Sequence, residues 1–204
     1  TTARVVAVTG EGGILLDRTV CYAAAGGQPG DRGAIIGSDG REIAIASTVY
    51  AADKAGIVHV PASAPIALPA PGAAVTIRLD WETRHRHMRM HTALHLLCAL
   101  VEFPVTGGQI GAEESRLDFD IPDSGSIDKD TLTAELQRLI AADHPVTTRF
   151  IADAELDANP GLVRTMSVKP PTGTGRVRLV AIGADGSIDL QPCGGTHVAR
   201  TGEI

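Results

Sequence analysis

The hydrophobic pattern of this chain changes its period at Asp80. Before this point, short runs of apolar residues are separated by glycine- and proline-rich turns, which is the pattern of an all-β unit. After it, apolar residues recur at helical spacing around HTALHLL. The change predicts a small β-barrel or sandwich over residues 1–80 and a second unit over residues 81–204. The alternative is one continuous domain in which the Pro/Ala stretch at 61–71 is only a loop.

The individual elements follow from the same patterns. Strands of the first part are predicted at RVVAV, ILLDRTVCY, the hairpin AIIGSDGREIAIA, GIVHV and AAVTIRL. In the second part we expect one helix over about 81–101 and another that is capped by Ser126 or Asp128 and ends before Pro145. Sheet candidates there are SRLDFDI, VTTRFI, GRVRLVAIG and SIDLQPC. They alternate with helices without a repeated βαβ unit, so the predicted fold class is α+β, with helices packed on a mixed or antiparallel sheet.

Composition excludes several classes of protein. The chain has 204 residues, 44% of them hydrophobic, enough for a real core. Its net charge of −6 argues against non-specific nucleic-acid binding, although not against a local basic surface. No apolar run is long enough for a membrane helix, and no signal peptide is recognised at the start. Three cysteines without a CxxC pair, namely Cys21, Cys98 and Cys193, predict reduced thiols and a cytoplasmic protein.

A histidine pair is the first feature that carries chemistry. His91 and His95 lie four residues apart on the first predicted helix. Residues at this spacing project from one helix face with Cβ atoms about 5–6 Å apart, which suits two ligands of one metal ion. Thr92 stands where the zinc protease motif has its glutamate, so that motif is excluded. Taken alone, the pair is explained equally well by two histidines half buried against the sheet.

The segment CGGTH supplies further ligands. Cys193 and His197 flank two glycines at the end of a predicted strand, and a sharp turn there would bring both to one point. One cysteine and three histidines form a normal zinc set. We therefore predict zinc, and the alternative is a core cysteine beside a turn histidine. Cys98 has apolar helix neighbours and is predicted to be a core residue rather than a ligand.

A glycine-rich loop, GGQPGDRG at 26–33, follows the segment ILLDRTVCY. It lacks the P-loop spacing and precedes no predicted helix, which disfavours nucleotide binding at a helix N-terminus. A structural turn is the simpler alternative for this loop. Basic residues precede the histidine pair and would place positive charge beside the metal, where a phosphate could bind. The alternative is that they form only a solvated helix face. They are Arg84, Arg86 and Arg89, with a second group at Lys169, Arg176 and Arg178 around PPTGTG.

Four segments together resemble one known family. GGQPGDRG, RHRHMRMHTALHLL, DFD and CGGTHVARTGEI are similar in order and spacing to the editing domain of alanyl-tRNA synthetases and to the freestanding AlaX proteins. The resemblance covers nearly the whole chain. The β-rich first part and Pro29 directly after GGQ are similar to the medium-length freestanding form. Relatives usually continue beyond TGEI into a further strand, so we expect a trimmed C-terminus.

The resemblance implies a hydrolase that deacylates alanine tRNA wrongly charged with serine or glycine. His91, His95, Cys193 and His197 stand at the family's zinc positions. Thr92 is implied to sense the serine hydroxyl and Gln109, in GGQIG, to line the pocket, although a helix threonine can instead bond a backbone carbonyl. Residues implied to read the acceptor end of the tRNA are Gly26, Gly27, Gln28 and Asp31 of the glycine-rich loop and the arginines Arg84, Arg86 and Arg89.

The sequence is also compatible with two other functions. One is a zinc-stabilised tRNA-binding module without catalysis, and the other is editing of threonyl-type mischarged tRNA. A monomer is favoured, and no membrane partner is expected. The sequence also leaves open whether zinc activates water or only orients the substrate, because four protein ligands form a closed site whereas water activation needs an open position.

Overall fold

The computed structural model describes residues 1–64, 67–123, 125, 127–166 and 175–204. The chain forms two compact units, Thr1–His85 and Arg86–Ile204, and its fold class is α+β as predicted. The division falls inside the first long helix rather than at its start. Within the described ranges, none of the helices combines the length and hydropathy needed to span a bilayer.

The first unit is a closed barrel of six antiparallel strands in the order β1-β2-β5-β4-β3-β6. The strands are β1 (Thr2–Val8), β2 (Ile14–Leu16), β3 (Gly33–Gly37), β4 (Glu42–Tyr50), β5 (Ile57–Pro61) and β6 (Ala74–Leu79). Because side chains alternate along a strand, every second residue points inward, and Val5, Ile14 and Ile35 belong to the buried core. Of the two predicted architectures, barrel and sandwich, the chain forms the barrel.

Two details of the barrel differ from or refine the prediction. The segment ILLDRTVCY is strand only over Ile14–Leu16, because the Asp17 carboxylate accepts the Arg4 backbone N–H at 2.8 Å and ends the ladder there. The Pro/Ala stretch joins β5 to β6 without regular structure in its described residues.

The second unit contains the remaining elements. Its helices are α1 (Trp81–Leu100), whose first turn lies in the first unit, α2 (Lys129–Ala141) and α3 (Asp153–Ala158). Its strands are β7 (Val105–Gln109), β8 (Arg116–Phe119), β9 (Val146–Ala152), β10 (Arg176–Ile182) and β11 (Asp189–Pro192). They form an antiparallel three-stranded sheet in the order β11-β10-β9 and a separate β7-β8 hairpin.

Helices α1 and α2 pack on the sheet through one apolar cluster. Leu96 of α1, Leu139 of α2 and Ile182 of β10 are its buried members. Burial of each such side chain contributes about 1.5–3 kcal/mol. Helix α2 begins at the predicted cap, because the Asp128 carboxylate accepts the N–H groups of Asp130 and Thr131. The other predicted cap, Ser126, lies outside the described residues.

Three predictions for the second unit are wrong or incomplete. SRLDFDI does not join the main sheet, because β8 pairs with β7 in its own hairpin. Strand β7 has no counterpart among the predicted strands, since Gly107 and Gly108 obscure the strand pattern. Helix α3 was not predicted either, because its single turn and a half is too short to show a helical period.

Candidate metal centre

Helix α1 presents two histidines and a threonine toward the sheet. His91 and His95 are 8% and 5% exposed, and their ring centroids lie 5.2 Å apart. Thr92 between them is fully buried. The helical spacing predicted from the sequence therefore places both imidazoles on the buried side of the helix, where water does not compete for their nitrogen atoms.

The turn after β11 brings Cys193 and His197 to the same place. Arg178 of β10 fixes this turn, because its Nη1 donates to the carbonyl oxygens of Cys193 at 2.6 Å and Gly195 at 2.9 Å. The Gly195 N–H points back to Cys193 Sγ at 3.3 Å. A turn bound at both carbonyls holds its two ligand side chains without relying on the metal.

The four predicted ligands converge. One ligand atom from each of His91, His95, Cys193 and His197 lies within 4.8 Å of the others. Cys193 Sγ is 3.5 Å from His91 Nε2 and 3.4 Å from His197 Nε2. Two ligands of a tetrahedral zinc ion, one sulfur and one nitrogen, would be about 3.6 Å apart. The donor set and its spacing therefore fit a metal ion.

Two polar residues that the sequence analysis missed support His95. Asp189 Oδ2 accepts a hydrogen bond from His95 Nδ1 at 2.8 Å, and Gln191 Nε2 donates to both oxygens of that carboxylate at 3.1 and 3.0 Å. Both residues are about 5% exposed. A carboxylate on Nδ1 fixes the tautomer that leaves Nε2 free for a metal. Asp189, Gln191 and Cys193 alternate along β11 and the residue after it, but ordinary polar residues of a strand show the same alternation.

Thr92 supports His197 in a similar way. Its Oγ1 donates to the Met88 carbonyl at 2.9 Å and lies 3.2 Å from His197 Nδ1 and 3.3 Å from the Val198 N–H. When His197 binds a metal through Nε2, its proton sits on Nδ1 and is donated to Thr92. The Thr92 hydroxyl proton is then donated to Met88, and its two lone pairs accept from His197 and Val198, so no hydrogen-bonding capacity is left.

The pKa shifts of three of the four groups favour a metal cation, because they keep His91 and His197 neutral and the Cys193 thiol ionised. Burial, reinforced by His91 and His95, lowers the pKa of His197 to about 3, and burial also lowers the pKa of His91. Burial alone would raise the pKa of the Cys193 thiol, but hydrogen bonds from His197 and His91 outweigh it and hold that pKa well below its usual range. Burial likewise opposes the charged form of His95, yet Asp189 and Cys193 raise its pKa to about 9, so a metal ion has to displace the proton on His95 Nε2 in order to bind there.

Two other candidates lie apart from these four. Cys98 is buried in the core as predicted and lies outside the ligand group, and burial raises the pKa of its thiol to about 11. Gln109 is exposed at the end of β7, where it pairs in register with Arg116. In the described part of the chain, its side chain forms no hydrogen bond with any of the four ligands.

The glycine-rich loop belongs to the barrel unit. Gly26 and Gly27 form its exposed tip, with φ of 56° and 81°, and Ala25 and Gln28 pair on either side. The side chain of Gln28 is buried, at 2% exposure. Gly30 is required for a different reason, because a Cβ there would lie 1.9 Å from the Thr48 carbonyl oxygen.

Asp31 and Arg84 form a buried ion pair in the same unit. Arg84 Nε donates to Asp31 Oδ1 at 2.8 Å, and the two side chains are 12% and 1% exposed. Asp31 also accepts the Tyr22 N–H at 2.5 Å. The structure therefore places Asp31 inside the loop and pairs it with Arg84 of α1, so neither charge is left open to a substrate.

The other basic residues lie in the second unit. Arg86 pairs with Glu113 at 2.5 Å, and Arg89 Nε donates to the Ile204 carbonyl at 3.1 Å, both at exposed positions. Of the second basic group, Arg178 holds the CGGTH turn and the Arg176 guanidinium lies over the ring of Phe150. Lys169 lies outside the described residues.

Comparison with known proteins gives a consistent assignment. Residues 177–204 match the family model described as threonyl and alanyl tRNA synthetase second additional domain. The alanyl-tRNA editing protein AlaX-M of Methanosarcina acetivorans is 34% identical over 97% of this chain and 82% of its own length. AlaX-L of Pyrococcus horikoshii is 33% identical over 94% of this chain and 45% of its own length. The alanine–tRNA ligase of Pyrobaculum arsenaticum is 33% identical over 99% of this chain and 23% of its own length.

The match to the medium-length editing proteins therefore extends from the barrel unit through both halves of the candidate metal centre. On this similarity, the chain belongs to the family of alanyl-tRNA editing proteins, the AlaX proteins.

Proposed function

We propose that this protein is a zinc-dependent hydrolase that deacylates mischarged alanine tRNA, with serine and then glycine as the amino acids removed. The reaction is hydrolysis of the ester between the amino acid and the 3′ adenosine. It consumes water and no nucleotide. A cytoplasmic location, expected from the free thiols, belongs to the same proposal.

One observation carries the proposal, namely that three histidines and a cysteine converge within 4.8 Å in a chain of this family. An aminoacyl ester is activated, so its hydrolysis requires mainly a positioned water and stabilisation of charge at the carbonyl. The histidines and the low-pKa Cys193 suit Zn²⁺, which binds imidazole and thiolate and has no redox chemistry to complicate hydrolysis.

In this proposal a zinc ion held by His91, His95, Cys193 and His197 would orient the substrate as a Lewis acid. The residues of the chain set up that arrangement. Asp189 keeps the His95 proton on Nδ1, and Arg178 holds the turn that carries Cys193 and His197. Because these supports are in place in the fold, the ligands need little reorganisation to bind the ion.

Thr92 enters the proposal as a positioning residue for His197. The direct contact with a serine hydroxyl that was expected from the resemblance would require Thr92 Oγ1 to give up one of its three protein partners. Gln109 is proposed as a pocket residue because its side chain is exposed on β7. Discrimination of serine from alanine stays a prediction for Gln109, and for Thr92 it is the alternative that the ratio of serine to alanine release tests.

For tRNA binding, the proposal assigns different roles within the two sets of residues. Arg86 and Arg89 are exposed and suit contacts with phosphates. Gly26 and Gly27 form a tip without side chains, which allows a close backbone approach to the acceptor end. The buried residues Gln28 and Asp31 shape the loop that presents this tip, and Arg84 pairs with Asp31.

A panel of charged tRNAs tests the proposal. Purified protein is assayed for release of serine, glycine and alanine from alanine tRNA, and for release of serine from threonine tRNA. We expect release of serine and glycine from alanine tRNA and little release of alanine. Elemental analysis should find one zinc per chain, and Cys193→Ala should lose both metal and activity. Cys98→Ala is the control, since Cys98 is a buried free cysteine that lies outside the ligand group.

The rival functions give different results in the same panel. A binding module without catalysis would bind tRNA and hydrolyse no ester at full zinc content. Editing of threonyl-type mischarged tRNA would show as faster release from threonine tRNA than from alanine tRNA. Full zinc content in Cys193→Ala would show that the ligand set is wrong.

A further inference from the structure

An exposed aromatic ring lies on the same sheet face as the metal centre. In the three-stranded sheet, Arg178 pairs directly with Phe150, and on its other side the Cys193 N–H bonds the Arg178 carbonyl at 3.1 Å. Paired residues of an antiparallel sheet point to the same face. Cys193, Arg178 and Phe150 therefore form a row, and two strand spacings put the backbones of Cys193 and Phe150 about 10 Å apart.

Phe150 is not part of a core. It is 57% exposed, whereas its neighbour Ile151 points to the opposite face and packs with Val177 and Leu179. Arg176, two residues from Arg178 and thus on the same face, places its guanidinium 4.8 Å from the centroid of the Phe150 ring. The row beside the metal centre therefore ends in an aromatic ring that is held by a cation and remains open to solvent.

Building on the proposed function, we infer that Phe150 and Arg176 form a stacking platform for an unpaired nucleobase at the 3′ end of the tRNA. An aromatic ring flanked by arginine is the combination that binds single-stranded nucleic acid, since the ring stacks on the base and the cation attracts the phosphates. The scissile ester is on the terminal nucleotide. The Phe150 backbone lies about 10 Å from that of Cys193 along the sheet. When the ester is at the metal centre, the last unpaired bases of the tRNA are therefore close enough to contact the Phe150 ring.

Binding of an uncharged RNA hairpin with an unpaired 3′ overhang tests the platform without any hydrolysis. The fluorescent base 2-aminopurine is placed at the terminal or the penultimate position, where stacking on Phe150 should quench it. Phe150→Leu should abolish the quenching and raise the dissociation constant about 5- to 150-fold, the range of a lost base–aromatic stack. Phe150→Tyr should retain both signals because it keeps the ring.

Two controls make the assignment specific. Tyr50→Leu removes another exposed aromatic, 48% exposed on the barrel, and should change neither signal. Replacing the probed base by an abasic site should weaken binding to the wild-type protein as much as Phe150→Leu does. The same abasic site should weaken binding to Phe150→Leu no further, because the base and the ring form one contact.

Several results would overturn the platform. One is equal quenching and equal affinity in the wild type and in Phe150→Leu, and another is no quenching by the wild type at either probe position. A third is that Phe150→Leu alters only the oligomeric state, which would show that Phe150 contacts protein rather than RNA. Failure of the platform with normal release of serine would leave the proposed function intact. Quenching that depends on Phe150 in a protein that hydrolyses no charged tRNA would keep the platform and reject the proposed function.

Discussion

Replacement of Thr92 by valine preserves the shape of the side chain and removes only its hydroxyl. That hydroxyl donates to the Met88 carbonyl at 2.9 Å and faces His197 Nδ1 at 3.2 Å and the Val198 N–H at 3.3 Å. Thr92 is 0% exposed, so water does not replace the lost group. In the variant, the Val198 N–H therefore has no acceptor, and with zinc bound the His197 Nδ1–H would have none either.

The size of the effect in the metal-free protein follows from the Val198 N–H, which has lost its acceptor. A buried donor without a partner costs about 1–3 kcal/mol, so the metal-free variant should lose about 1–3 kcal/mol of its free energy of unfolding. Loss of a group that orients a ligand histidine typically weakens metal binding about 10- to 100-fold. Thr92→Ser is the matched control because it keeps the hydroxyl, and it should retain most of both quantities.

Three measurements separate the roles of Thr92. Urea unfolding of the metal-free protein gives the stability, competition with a chelator gives the zinc affinity, and deacylation at saturating zinc gives the ratio of serine to alanine release. We expect lower stability and lower zinc affinity in Thr92→Val with an unchanged ratio. Normal zinc affinity together with a roughly tenfold or larger fall in the ratio, the size expected for a lost substrate hydrogen bond, would refute this reasoning and place Thr92 in contact with the substrate.

Four further expectations follow from other parts of the structure. Asp189→Asn should weaken zinc binding about 10- to 100-fold in a chelator competition, whereas the exposed control Asp185→Asn should not. His59 is fully buried in the barrel, where it is hydrogen-bonded to the Ile14 carbonyl and to Thr19, and burial lowers its pKa. Below about pH 6.5 the imidazole is therefore protonated in the unfolded state but still neutral in the folded state. The contribution of His59 to stability is thus present above about pH 6.5 and is lost as the pH falls below that value. The melting temperature should accordingly fall less steeply between pH 7 and 5 in His59→Gln than in wild type. Arg84→Gln should lower the free energy of unfolding in urea by about 3 kcal/mol or more, because it leaves the buried Asp31 carboxylate without its counter-charge. The double variant Arg86→Gln/Arg89→Gln should leave that free energy nearly unchanged. Instead, it should reduce by about two the slope of log binding constant against log salt concentration for tRNA. A cavity is opened by either Ile182→Ala or Ile35→Ala, because these residues are 0% and 1% exposed. Each change should lower the free energy of unfolding by about 2–5 kcal/mol, but only Ile182→Ala should reduce zinc affinity.

Much of the fold is predictable because it depends on local patterns. The change of period at Asp80 locates the start of α1, and the strand runs with their glycine turns locate most of the barrel. The ligand group is predictable for a chemical reason, since HxxxH and CGGTH contain residue types that bind zinc at spacings that one helix face and one turn can bring together. The four residues are the ones that the structure places within 4.8 Å.

The remainder depends on contacts between distant segments, which no local pattern encodes. Asp189 and Gln191 look like ordinary polar residues of a half-exposed strand until β11 is placed against α1. Arg84 looks like one member of a basic cluster, yet its partner Asp31 lies 53 residues earlier in the chain. The composition of a helix face thus predicts charge, but only the tertiary structure determines whether that charge is exposed or paired.

The metal centre has two halves, helix α1 and the segment of β11 with the turn after it, and each half orients a ligand of the other. Helix α1 carries His95, which is oriented by Asp189 of β11, and it also carries Thr92, which orients His197 of the turn after β11. Each half therefore holds a ligand of the other, so neither half has the correct ligand orientation by itself. The arrangement depends on the packing of α1 against the sheet, in which Ile182 pairs with Asp189 in register and packs with Leu96. Because displacement at that contact would move Asp189 away from His95, zinc affinity in this protein should report the integrity of the helix–sheet interface as well as the identity of the ligands.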